Sequence, residues 1–216
     1  MSFDVLPSAS VVAGYVAAVV LLVLTPGPDM TLFLGRTLTG GRREGLAVLA
    51  GTTVGLYVHT TLVALGLAAL LAASPTAFTV LKWAGAAWLV HLAIEALRHG
   101  SALAAEAGAG PAAPTPPYRA FLAGLGVNLL NPKIVVFFVT FLPQFVDPGD
   151  PHATARIAVL GGLYGVIGAP ICVVLILGAE KVAGTFRRSR RLARALDVAC
   201  AGLFSAFALK LVLSKA

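Results

Sequence analysis

The sequence predicts an all-α membrane protein whose six transmembrane helices form two inverted three-helix repeats, with helices 1 and 4 broken near the midplane. The first observation is composition: 58% of the 216 residues are hydrophobic and 12% are charged, a balance unlike that of soluble domains. The second is that residues 5–28, 45–81 and 157–179 contain no Asp, Glu, Lys or Arg. Each can cross about 30 Å of hydrocarbon as a helix. The third is that prolines interrupt two of the apolar segments.

Six spans follow from the apolar segments and the polar residues that separate them. They cover residues 9–38, 44–72, 76–97, 119–146, 155–180 and 193–214. Between the third and the fourth, residues 99–117 are rich in Ala, Gly and Pro, which is typical of a flexible linker. We therefore expect one transmembrane domain over 1–216, with repeat 1 at 1–98, a cytoplasmic linker at 99–117 and repeat 2 at 118–216.

The two halves are expected to cross the membrane in opposite directions, because each contains an odd number of spans. Short runs of similar sequence support a relation between them: residues 47–51 are matched by 158–162, and residues 84–87 by 199–202. Inverted repeats of this kind are a common plan of transporters.

The distribution of basic residues predicts the orientation. Eleven of the 16 Lys and Arg residues fall in the loops after spans one, three and five, and four fall on the opposite side. By the positive-inside rule the first group is cytoplasmic, so both termini are expected outside the cytoplasm in a multi-pass protein of the cell (inner) membrane. The net charge of +7 does not predict nucleic-acid binding, because the basic residues alternate with apolar spans and form no patch.

The two broken spans carry the residues that are most informative about function. Thr25-Pro26 and Asn131-Pro132 each combine a helix-capping side chain with a proline, which is the pattern of a new helix start. A fresh helix N-terminus presents unpaired N–H groups and a positive dipole end, which suit a substrate carboxylate. The predicted substrate-binding residues are Thr25, Pro26, Gly27, Pro28, Asn128, Asn131, Pro132 and Lys133.

Asp29 and Lys133 are the ionisable residues of the two breaks. An ammonium group inside a membrane is costly, so Lys133 is expected to face a negative partner, either Asp29 or the substrate carboxylate. Two structural alternatives stay open: Asp29 as a cap at the end of a span, and Lys133 in an ion pair without a transport role. His59 and His91, in the middle of spans two and three, are secondary candidates, since a lone intramembrane histidine more often packs than carries protons.

Four motifs occur in order along the chain. They are Thr25-Pro-Gly-Pro-Asp29, Gly40-Gly-Arg-Arg-Glu-Gly45, Leu81-Lys-Trp-Ala-Gly-Ala-Ala-Trp88 and Asn128-Leu-Leu-Asn-Pro-Lys133. Together they resemble the lysine and homoserine/threonine exporter family over nearly the whole chain. The resemblance implies an inner-membrane exporter of amino acids that is driven by proton exchange, with its site around the two breaks. Asp29 is then the candidate that takes up and releases the coupling proton.

The predicted function is secondary-active export of an amino acid or amino-acid derivative by proton antiport. The expected partners are that substrate, protons and the lipid bilayer; a homodimer is left open, and no cofactor or metal is expected. One alternative is efflux of a cation or metal, which the lack of clustered Cys and His ligands disfavours. The other is an intramembrane enzyme built on Asp29 and His59. An enzyme is not predicted, because the sequence has no nucleophile elbow, nucleotide loop or metal motif.

Overall fold

The computed structural model describes residues 9–25, 27–73, 115–146, 150–179, 181 and 190–213, together with scattered helical positions between 80 and 98. Every element in these ranges is a helix, and none of the described residues forms a strand. This confirms the all-α architecture. Most of the third predicted span, and residues 99–114 of the predicted linker, lie outside the described residues.

Seven α-helices have defined bounds within the described ranges. They are α1 (Ala9–Leu24), α2 (Pro28–Gly40), α3 (Arg42–Ala73), α4 (Pro117–Leu129), α5 (Pro132–Val136), α6 (Ala153–Leu177) and α7 (Arg190–Leu213). A π-helical turn, Phe137–Phe141, and a 3-10 turn, Leu142–Phe145, continue α5. Five of the six predicted spans therefore coincide with observed helices or helix pairs.

Among the described helices, two are long and apolar enough to cross a membrane unaided, namely Arg42–Gly66 of α3 and the whole of α6. Two further spans arise when α1 is taken with α2, and α4 with the helical segment from Pro132 to Phe145. Each pair bends at its break, by 51° in the first and 49° in the second. The predicted breaks in the first and fourth spans are confirmed, whereas the count of six spans and the inverted repeat stay predictions.

Apolar side chains cover the outer surface of the long helices. Leu62 and Leu65 of α3 are 62% and 66% exposed, and Val166 and Val174 of α6 are 67% and 68% exposed. Apolar patches of this extent are unfavourable in water. They suit a surface that contacts lipid, as expected of a multi-pass membrane protein.

Helix α3 is the centre of the described fold, because it packs against α2, α4 and α6. Small residues allow the close approach to α4. A Cβ atom on Gly51 would overlap the carbonyl group of Phe121, and one on Gly124 would overlap the carbonyl group of Val48. Backbones in such close contact are typical of helix pairs in membranes.

We expect Gly124→Ala to lower the free energy of unfolding by about 1–3 kcal/mol, because the added methyl group has no room beside α3. Gly126→Ala is the matched control in the same helix, since a Cβ there would meet no described atom within 4 Å. Thermal unfolding of both purified variants in detergent, followed by helical circular dichroism, measures the difference. Equal unfolding temperatures would contradict the close packing of α3 on α4.

Polar contacts join several helix ends at one face of the molecule. The carboxylate of Glu44, in the first turn of α3, lies 3.7 Å from the guanidinium of Arg36 and accepts a 2.5 Å hydrogen bond from the main-chain N–H of Thr115. Arg36 also donates to the Thr115 hydroxyl at 2.7 Å. Beside them, Arg42 donates to the carbonyl of Leu177 at the end of α6. The first predicted span thus ends where the fourth begins, so these two spans run in opposite directions.

An aromatic cluster surrounds the segment that follows α5. Its members are Tyr15, Phe137, Phe138, Phe141, Phe145 and Tyr164, whose neighbouring ring centroids lie 5.0–6.2 Å apart. The Tyr15 hydroxyl is satisfied by a 2.7 Å hydrogen bond to the carbonyl of Leu160 in α6. Packing of large rings fixes the π-helical turn and, with it, the position of α5.

Candidate functional site

The first break separates α1 from α2, which begins at Pro28. Gly27 precedes it as the N-cap in an extended conformation, and Pro28 takes the first helical position, where a missing N–H costs nothing. The prediction that Thr25 caps the second half-helix is wrong. Its hydroxyl donates to the carbonyl of Leu21, one turn back in α1, at 2.7 Å, because a threonine within reach of the preceding turn readily bonds to it. Pro26 lies outside the described residues.

The second break has the predicted form. Helix α5 begins at Pro132, and Asn131 is its N-cap, with Oδ1 accepting a 3.0 Å hydrogen bond from the main-chain N–H of Lys133. Asn131 is 1% exposed, and its Nδ2 finds no acceptor among the described residues. The capping role predicted for Asn131 is confirmed.

The helices that follow the two breaks begin alike. Each has a proline at its first position and an ionisable residue at its second: Pro28 and Asp29 in α2, and Pro132 and Lys133 in α5. The Asp29 carboxylate is favourable at the positive end of α2, whereas the Lys133 ammonium is unfavourable at the start of α5. Lys133 therefore has to be stabilised by another part of the fold.

The end of α1 supplies that stabilisation. Nζ of Lys133 donates to the carbonyl oxygens of Thr25 at 2.9 Å and Leu22 at 3.2 Å, which belong to the last turn, where helical partners run out. A cation is also favoured at this negative helix end. Gly27 leaves the space, since a Cβ there would lie 3.0 Å from Nζ. Lys133 thus acts as a cap across the two breaks, and its expected pairing with Asp29 stays a prediction.

Asp29 is held in turn by the other broken span. Its Oδ2 accepts a 2.7 Å hydrogen bond from Nδ2 of Asn128, which lies in the last turn of α4 and is 2% exposed. The main-chain carbonyl of Asn128 lies 3.3 Å from Nε2 of His59 on α3. A single asparagine therefore connects the carboxylate of the first break with the buried histidine of the second span.

Asp29, Asn128 and Lys133 line one cavity of about 60 Å³ between the two breaks. At about 30 Å³ for each water in the liquid, this volume corresponds to about two water molecules. The other described residues that line it are Val23, Met30, Phe33, Leu49, Thr52, Thr53, Leu56, Ile134, Tyr164, Gly165, Gly168, Ala169 and Cys172. The cavity is therefore a mostly apolar chamber in which a carboxylate, an amide and an ammonium group come together. Such a site suits a small polar molecule with an apolar part.

The other predicted site residues that the structure describes do not line the cavity. They are Thr25, Gly27, Pro28, Asn131, Pro132, His59 and His91. Thr25 and Gly27 position Lys133, and Asn131 shapes the start of α5. His59 is buried and contacts the main-chain carbonyl of Asn128, while His91 occupies an exposed helical position.

Among the cavity residues with a hydroxyl or thiol group, Thr52, Thr53 and Cys172 were not singled out from the sequence as site candidates. The two threonine hydroxyls donate to the carbonyl of Leu49 at 2.9 Å and 2.8 Å. Adjacent threonines in an otherwise apolar span were the available signal, because hydroxyl groups in membrane helices favour helix contacts. Cys172 is a lone cysteine in an apolar segment, and such a cysteine does not by itself indicate a binding site.

Comparison with known proteins shows the family to which the chain belongs. The model of the LysE type translocator family matches residues 20–215. An uncharacterized membrane protein of Pseudomonas aeruginosa is 35% identical over 199 residues, which cover 91% of this chain and 92% of that protein. A homoserine/homoserine lactone efflux protein of Salmonella typhimurium is 32% identical over 190 residues, which cover 88% of this chain and 90% of that protein.

An uncharacterized membrane protein of Vibrio cholerae is 36% identical over 138 residues, covering 64% of this chain and 66% of that protein. No solved structure is significantly similar to the chain. The family match extends over both breaks and over the residues that line the cavity between them. The chain belongs to the LysE type translocator family, and it is a membrane transport protein.

Proposed function

We propose that the protein is a secondary-active exporter of an amino acid or amino-acid derivative, which it moves across the cytoplasmic membrane in exchange for protons. The observation that carries this proposal is the single cavity in which Asp29, Asn128 and Lys133, drawn from two broken spans, lie together. Broken helices whose ends meet around a small chamber are a recurring way to build a substrate site in transporters.

The proposed roles follow from the chemistry of these groups. Asp29 is the proton-carrying residue, since it is the carboxylate among the described residues that line the cavity. The substrate carboxylate is drawn to the N-terminal ends of α2 and α5 and to the positive charge of Lys133. Thr25, Gly27 and Asn131 keep Lys133 and α5 in place.

The name of one relative suggests where to begin the search for a substrate. The Salmonella protein is a homoserine/homoserine lactone efflux protein. We propose homoserine as the first substrate to test, because its ammonium, carboxylate and short hydroxylated side chain match the mixed polar and apolar lining of the cavity.

Counterflow in proteoliposomes tests this function. Vesicles containing the purified protein are loaded with one unlabelled amino acid at a time, and uptake of the same labelled compound from outside is measured. L-homoserine and the common amino acids make up the panel, and protein-free vesicles are the control. Protein-dependent uptake of at least one compound is expected. If none is taken up, amino-acid transport is ruled out as the function.

The proposed orientation places both termini outside the cytoplasm and Arg42 in the cytoplasm. Arg42 belongs to the face at which the ends of α2 and α6 and the start of α4 meet. We expect Arg42→Cys, in a chain with Cys172 and Cys200 replaced by serine, to react with an impermeant maleimide only after the cytoplasmic side is opened. Labelling of intact cells from outside would reverse the orientation.

A further inference from the structure

Two oxygen atoms at the cavity residues are buried without a hydrogen-bond donor. They are Oδ1 of Asp29 and Oδ1 of Asn128, and neither has a donor among the described residues. Both side chains line the cavity, and Asn128 is 2% exposed. A buried acceptor without a donor is costly, so the pair marks a place where a ligand that donates hydrogen bonds would be stabilised.

The Asn128 amide faces Asp29 through its nitrogen. Nδ2 of Asn128 donates to Oδ2 of Asp29 at 2.7 Å, which suits a carboxylate, because its oxygens accept hydrogen bonds when it is ionised. Oδ1 of Asn128 is therefore the atom left without a donor. The unsatisfied pair consists of acceptors only, and it carries the negative charge of Asp29.

Several donors of the cavity wall bind other acceptors. The hydroxyls of Thr52 and Thr53 donate to their own helix at the carbonyl of Leu49. The ammonium of Lys133 donates to the carbonyls at the end of α1. A bound molecule that donates hydrogen bonds would therefore satisfy the two open acceptors.

We infer that the substrate's ammonium group binds at Oδ1 of Asp29 and Oδ1 of Asn128, and that the coupling proton competes with it for the same carboxylate. This inference rests on the proposed function. An ammonium group carries three N–H donors, enough for both acceptors, and it neutralises the carboxylate as a proton does. With either one bound, Asp29 is neutralised, so the site holds a substrate or a coupling proton but not both.

Several groups face Asp29 from the helices around it. Lys133 approaches from α5, Tyr164 and Cys172 from α6, and His59 from α3 through Asn128. Of these, Lys133 carries a fixed positive charge that opposes a second cation nearby. A zwitterionic substrate resolves this conflict, because its carboxylate can lie toward Lys133 while its ammonium group lies at Asp29. The opposite charges of Asp29 and Lys133 thus give a bound amino acid one favoured orientation in the cavity.

Competition between analogues tests the inference on the unaltered protein. Labelled L-homoserine is the probe in counterflow, and two analogues compete with it. Homoserine lactone keeps the ammonium group and lacks the carboxylate. N-acetyl-L-homoserine keeps the carboxylate and lacks the ammonium group. The assay is run at a pH at which the lactone amine is protonated. We expect N-acetyl-L-homoserine to inhibit at least about tenfold more weakly than unlabelled L-homoserine, as loss of a charged hydrogen bond would produce. The lactone keeps the ammonium group and is expected to inhibit. Inhibition by N-acetyl-L-homoserine as strong as that by L-homoserine would overturn the inference.

The pH dependence of exchange tests the competition itself. In wild-type vesicles the apparent KM for homoserine is expected to rise as pH falls, by up to about tenfold per pH unit, while the maximal exchange rate changes little. If the apparent KM for homoserine stays constant while export varies with pH, the proposed competition between substrate and proton is overturned. Failure of the proposed function is distinct, since it would appear as no protein-dependent homoserine uptake at any pH.

Discussion

Asp29→Asn is expected to reduce export driven by a pH gradient to the level of protein-free vesicles, while substrate exchange persists with an affinity weakened by about tenfold or more. Asparagine keeps the size of the side chain and an oxygen that can accept hydrogen bonds, but it cannot take up a proton. The loss of affinity follows from replacing a charged acceptor by a neutral one. Paired measurements of exchange and of export after a pH jump separate the two effects.

Asp150→Asn is the matched control for this experiment. Asp150 lies before α6, where its Oδ2 is 2.6 Å from Nε of Arg156, and it does not line the cavity. This variant should retain pH-driven export. Full export by Asp29→Asn would instead show that its carboxylate serves as a cap at the start of α2. The proton would then pass through another group, of which His59 is the nearest candidate by its contact with Asn128.

Lys133→Met is expected to lower exchange and export together, and also to destabilise the protein. Methionine has a similar length but donates no hydrogen bond, so the carbonyl groups at the end of α1 lose their donor from α5. An unsatisfied buried carbonyl costs about 1–3 kcal/mol, and removal of the cation leaves the Asp29 charge less compensated. The combined loss of transport and of stability distinguishes Lys133 from Asp29, whose replacement spares exchange.

The measurement combines thermal unfolding in detergent with both transport assays, each normalised to folded protein. Lys181→Met is the control, because Lys181 is an exposed lysine outside the central cavity. Loss of transport with unchanged thermal stability would show that Lys133 binds substrate without holding α1. Loss of stability alone, with normal exchange per folded molecule, would show that its role is structural.

The helices and their breaks were largely predictable from the sequence. Long uncharged segments gave the bounds of α3 and α6, and the pairing of a capping residue with proline located both interruptions. The predicted N-cap residue was correct at Asn131 but wrong at Thr25. Two prolines, at 26 and 28, competed for the helix start there, and only the fold shows that α2 begins at the later one.

The composition of the site was predictable, but its hydrogen bonds were not. Asp29, Asn128 and Lys133 stood out because polar and ionisable residues are costly inside a membrane. Their partners are set by the packing of helices that are far apart in sequence. The contact of Asn128 with Asp29 spans 99 residues, and that of Lys133 with Leu22 spans 111. Charge alone predicted an anionic partner for Lys133, and it gave no sign of the two carbonyl groups that bind the ammonium in the structure.

The cap that Lys133 provides has a consequence for biosynthesis. The carbonyl of Thr25 is made 108 residues before the ammonium group that binds it. At a synthesis rate of about 5–20 residues per second, the ribosome needs roughly 5–20 s to cover that distance. Over this interval the end of α1 depends on water or the insertion machinery for hydrogen bonds. A nascent chain that stalls before Lys133 therefore has a first span whose break lacks the donor for the carbonyls of Leu22 and Thr25.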